Sequence, residues 1–129
     1  MDSVIIKSSA TSATLAFCER EGDYFNVVYE SPAVKIQKRV WGYTDCQALA
    51  GLFHSLSQDW KGWNGVREWS SIEGDFGLSA TSDKLGHIKL SMSFREVDAS
   101  EEWGAKVCLF VDSGQTENIA KKVSVFFAN

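Results

Sequence analysis

Proline is almost missing: Pro32 is the only one in 129 residues, so no proline-rich linker or polyproline segment divides the chain. Histidine is nearly as scarce, and His54 and His87 stand far apart. With Cys18, Cys46 and Cys108 also widely spaced, they offer none of the ligand spacings that closed zinc sites use, and no metal is expected. The odd cysteine count and the lack of an Asn-x-Ser/Thr sequon fit three free thiols in a reducing interior. Long apolar runs are missing too. Val107 to Val111 is among the longest, far short of the roughly 20 residues that span a bilayer, so no membrane segment is expected. The first residues, MDSVIIKSSATS, put an acid at position 2 and only a three-residue apolar run, which does not read as a signal peptide; the expected location is cytoplasmic. Positive charge is in deficit. Thirteen Lys and Arg against seventeen Asp and Glu give a net charge of −4, which argues against a protein that lives by neutralising phosphates, so nucleic acid is not an expected partner. No phosphate-binding loop, dinucleotide fingerprint or nucleophile elbow occurs, and no cofactor is expected.

What is present is an ordinary globular composition, 44% hydrophobic and 12% aromatic, in a chain long enough to bury about two-thirds of its surface as one domain over 1–129. Apolar and polar residues alternate through 3–7, 12–19, 23–30 and 33–41, with turn-forming residues between them, as in half-buried strands joined by hairpins. The period then changes. Leu49, Leu52, Phe53, Leu56 and Trp60 form one stripe of an amphipathic helix over 45–60, with Thr44 and Gln47 spaced as a capping box and Gly62 past its end. Strand signals return at 66–72, 75–81, 85–96 and 102–111, followed by a helix over 114–127 started by Asp112 or Ser113. The expectation is an α+β fold: an antiparallel β-sheet with the two helices on one face, whose order suggests a duplicated ββββα unit, 1–62 and 63–129.

Three features bear on function. The stretch Trp60 to Trp69 holds three of the five tryptophans, which suits either a corner of the core or a binding site for a sugar, base or partner. Glu73, Asp75, Asp83 and His87 are the one group that resembles acid–base chemistry, although His87 falls on the polar side of its strand and Asp83 to Gly86 reads as a hairpin turn. By strand parity the open sheet face carries Lys35, Arg39, His87, Lys89, Arg95 and Lys106, a cationic surface on an acidic protein, read either as a solvated face or as a docking surface for an acidic partner.

Trp60-Lys61-Gly62-Trp63, Trp69 to Gly74 with its Ser71-x-Glu73-Gly74, and Gly86-His87-Ile88 together resemble a family of small uncharacterised bacterial proteins with a WxGW…SxEG…GH(I/V) pattern. The resemblance covers about 60–127. It implies a bacterial origin and no activity. The reading that follows is a non-enzymatic cytoplasmic binding or protein-interaction protein of bacteria, of the accessory or immunity type, with another, acidic protein as partner and self-association left open. The alternative is a small enzyme or ligand-binding domain with a pocket around Trp63, Trp69, Glu73 and His87.

Overall fold

The computed structural model describes residues 3–97 and 99–128. Four strands, β1 (Ser3–Lys7), β2 (Thr14–Glu21), β3 (Tyr24–Glu30) and β4 (Lys35–Trp41), precede α1 (Cys46–Gln58). Four more, β5 (Arg67–Ser70), β6 (Phe76–Ser82), β7 (His87–Glu96) and β8 (Trp103–Asp112), precede a 3-10 turn at Ser113–Gln115 and α2 (Thr116–Phe126). The ββββα order therefore occurs twice in an α+β fold. The strands are divided between two four-stranded antiparallel sheets, each a plain meander in the order β1-β2-β3-β4 and β5-β6-β7-β8.

The alternation in the sequence is what builds each sheet. Residues two apart share a face, so Val4, Ile6, Leu15, Phe17, Phe25 and Val27 all turn inward from the first sheet, and Leu78, Ala80, Ile88, Leu90, Met92 and Phe94 turn inward from the second. The helices cover these inner faces. Phe53 of α1 meets Phe17 edge-on at 6.1 Å, and Phe127, just past α2, sits between Phe17 and Phe25 at 5.9 and 5.0 Å. One hydrophobic cluster runs through both sheets and both helices.

Long-range polar bonds fasten the helices to the half of the chain that did not supply them. Trp69 donates its indole N–H to the carbonyl of Asp45 at the start of α1 (3.1 Å), and Arg67 donates to Ser55 on α1 (3.0 Å). Arg20 of β2 donates to the carbonyls of Phe126 and Ala128, which no further helical turn satisfies. Gln47 donates to the carbonyl of Phe127 (2.7 Å). That bond overturns the capping box expected at Thr44 and Gln47: the residue at the N-cap is Asp45, without a side-chain cap, because Gln47 is engaged by the far end of the chain. Asp112 does start the C-terminal helical segment, but what it caps is the 3-10 turn that leads into α2, with the N–H of Asp112 donating to Gln115 Oε1 at 2.8 Å.

Polar contacts also join the two sheets directly. Ser9 donates its N–H to the carbonyl of Phe110 on β8 (2.8 Å). Lys38 lies on the inner face of β4 and makes an ion pair of 3.1 Å with Glu96, which lies on the inner face of β7. A lysine turned inward on a strand at the edge of a sheet discourages pairing with another chain, and here its charge is met from the other sheet.

Candidate functional site

Three of the sequence-derived candidates turn out to serve the fold where they stand. Trp69 is buried against Phe76. Trp63 is half-buried beneath the guanidinium of Arg67, 4.7 Å from its ring, and that guanidinium is itself held to Asp59 at 2.6 Å. His87 is exposed at the start of β7. Its Nδ1 lies 2.8 Å from Asp83 Oδ2, and Asp83 Oδ1 accepts the N–H groups of Leu85 and His87, so the pair braces the β6–β7 hairpin. These bonds, led by the His87 backbone N–H, hold the Asp83 carboxyl below its ordinary range.

Glu73 is exposed in the β5–β6 turn, next to Asp75, which is buried and accepts from Ser71 Oγ at 2.6 Å. The β6 strand separates this turn from His87, so Glu73 and His87 stand at opposite ends of the second sheet. Glu73 and His87 are therefore not brought together at one place.

A different place in the second sheet does form a depression. On its outer face, strand register sets Glu68, Ser79, Ser91 and Cys108 side by side in one row, and Ser70, Gly77, Ser93 and Lys106 in the next. The side chains in the middle of both rows are small, so the face sinks into a trough of about 600 Å³ walled by Lys89, Lys106, Cys108 and Glu68. Gly77 sets its depth: a Cβ there would lie 2.9 Å from Ser93 Oγ. Among the described residues, the hydroxyls of Ser79, Ser91 and Ser93 have no protein partner, and neither Lys89 nor Lys106 is paired with a carboxylate. Hydroxyls that donate and accept, with two ammonium groups beside them, suit the oxygens of a carboxylate or phosphate.

The cationic face foreseen in the sequence is thus split. All six residues point outward, but Lys35 and Arg39 belong to the first sheet, where Arg39 donates to the Glu19 carbonyl (2.6 Å) and to Asn26 Oδ1 (3.2 Å). His87 is occupied by Asp83. What remains on the second sheet is Lys89, Arg95 and Lys106, of which Lys89 and Lys106 line the trough, while Arg95 lies one step beyond Ser93 along β7. Parity alone identified these cations, but not the trough, because seeing it requires knowing that Gly77 pairs with Ser93 and Ser79 with Ser91.

A second depression, of about 1000 Å³, runs between the outer sides of α1 and α2 past His54 and Trp60, and the charges along it, Glu117 and Lys121, pair with each other at 3.3 Å. Among the described residues no three His, Cys, Asp or Glu side chains gather as a metal site would need, and no helix is long and apolar enough to cross a membrane. The cysteines are unpaired: Cys108 is exposed, whereas burial, aided by the charge of Glu19 beside Cys18 and of Asp23 beside Cys46, pushes those two thiols up.

A model of a family of unknown function (DUF6228) matches residues 6–129, from the end of β1 through β2, β3 and β4 as well as the tryptophan-rich second half. No curated protein and no solved structure matches the chain.

Proposed function

The chain belongs to that family of unknown function, and from the geometry of its second sheet we propose that it is a non-enzymatic binding protein that docks an acidic segment of another protein on the outer face of β5–β8. The observation that carries this reading is the trough floored by Gly77, Ser79, Ser91 and Ser93 with Lys89 and Lys106 beside it, unpaired among the described residues, in a chain whose net charge is −4. A local cationic surface on a protein of net negative charge attracts an oppositely charged segment at short range, so this face favours an acidic partner. The bacterial, cytoplasmic setting belongs to the same proposal: it rests on the motif resemblance and on the three unpaired thiols. The alternative, a small-molecule pocket around Trp63, Trp69, Glu73 and His87, requires those side chains to converge, and the β6 strand stands between Glu73 and His87.

The test uses fluorescently labelled poly-glutamate as probe, with anisotropy as readout at low salt. The double variant Lys89→Glu with Lys106→Glu should bind at least about tenfold more weakly, a loss of ~1.4 kcal/mol, and raising the salt should weaken the unaltered protein in the same direction. Lys84→Glu, in the exposed β6–β7 turn, changes the net charge away from the face and should bind almost normally. Equal weakening by Lys84→Glu, or no binding at low salt, overturns the reading.

A further inference from the structure

The edges of the two sheets are not equally protected. β4 carries the inward charge of Lys38, β5 has four residues and β1 has five. β8 is different: ten residues, no proline, an uninterrupted register with β7, and only apolar residues on its inner side. A long, regular edge of this kind is a template for another strand.

One contact fixes which backbone groups are on offer. The carbonyl of Phe110 accepts the Ser9 N–H, so it points away from β7. In an antiparallel ladder alternate residues direct both their N–H and C=O to the same side, so Gly104, Lys106 and Cys108 also present theirs at the open edge. Side chains alternate likewise. On the outer side Lys106 stands beside the trough; on the inner side Trp103 is 42% exposed and Ala105 and Val107 are half-buried, whereas Leu109 and Val111, further along, are closed over.

We infer that the partner adds an extended strand to the edge of β8, bonding to the backbone of Gly104, Lys106 and Cys108, with acidic side chains facing Lys106 and apolar side chains between them covering Trp103, Ala105 and Val107. This rests on the acidic-partner reading above and specifies its mode: strand addition supplies main-chain bonds, and alternate side chains supply selectivity. The uncovered apolar ledge on one side of β8 and the unpaired lysine on the other demand that alternation.

A labelled peptide of alternating valine and glutamate is the probe. In the unaltered protein the amides of Gly104, Lys106 and Cys108, read by NMR hydrogen exchange, should slow when it binds, while the amides of β5 stay as they were. Cys108→Pro removes one outward N–H and no bond to β7, a place where an edge strand accepts proline. It should keep the thermal melt and bind the peptide at least about tenfold more weakly. If that variant fails to fold, the exchange measurement still decides. Unprotected edge amides, with binding still weakened by the lysine reversals, overturn strand addition and leave the face reading standing. Protected amides with binding indifferent to Lys106→Glu overturn the acidic partner. A dimer in sedimentation, with these amides protected before peptide is added, makes a second copy the occupant and also overturns the proposal.

Discussion

Asp83 is placed to accept rather than to react. The His87 N–H at 3.0 Å, the His87 ring and the Leu85 N–H hold its carboxylate, and each favours the charged form. Its folded pKa therefore lies below the unfolded value of about 3.9, so its stabilisation is fully present above that value and is lost as pH falls through the folded one. Asp83→Asn keeps an acceptor but no charge. Urea midpoints measured for both proteins from about pH 6 to about pH 2 should differ at the upper end and converge below about pH 4. A gap that is constant across the range would mean that the carboxylate charge is not what braces the hairpin.

At the scale of elements, the ends of the helices matter more than their middles. Phe127 follows α2, is fully buried and touches Phe17, Phe25 and Phe126. Truncating a phenylalanine so placed costs about 3–5 kcal/mol, the transfer term plus a cavity between a strand pair and a helix that cannot close up. Phe127→Ala should lower the urea midpoint accordingly, with the slope unchanged; a loss below about 1 kcal/mol would place the ring outside the core. The helices and strands were legible because periods of 2 and 3.6 are local, and the inner and outer faces followed from parity. The division into two sheets was not, since no local pattern says that β4 and β8 both end a sheet. Gln47 was misread for the same reason: its partner, the carbonyl of Phe127, lies at the other end of the sequence. Lys38 occupies an inward position between Ile36 and Val40, a charge breaking an apolar stripe, and only Glu96 in the other sheet explains it. In the candidate site the lysines were visible as polar-face residues. The trough was hidden in cross-strand register, which a linear sequence does not print.

For the molecule as a whole, the two ββββα units are not two independent folds. The first sheet buries Phe17 and Phe25 against Phe127 from the end of the second unit, and Arg20 holds the last carbonyls there. In return, α1 of the first unit is held by Trp69 and Arg67, and its Phe53 and Leu56 lie with Leu90 and Val111 of the second sheet. Each unit alone would expose the apolar face that the other's helix covers, in a fragment so short that it already buries only about 60% of its chain surface. Residues 1–62 and residues 63–129, produced separately, should therefore each lack a cooperative thermal transition by circular dichroism. Mixed in equal amounts, they should recover a sigmoidal melt and a near-native spectrum, because the contacts between units are apolar and numerous enough to drive association. A cooperative melt for 1–62 alone would show that α1 can fold back on its own sheet, and that the exchange of helices between units is an arrangement the chain does not need.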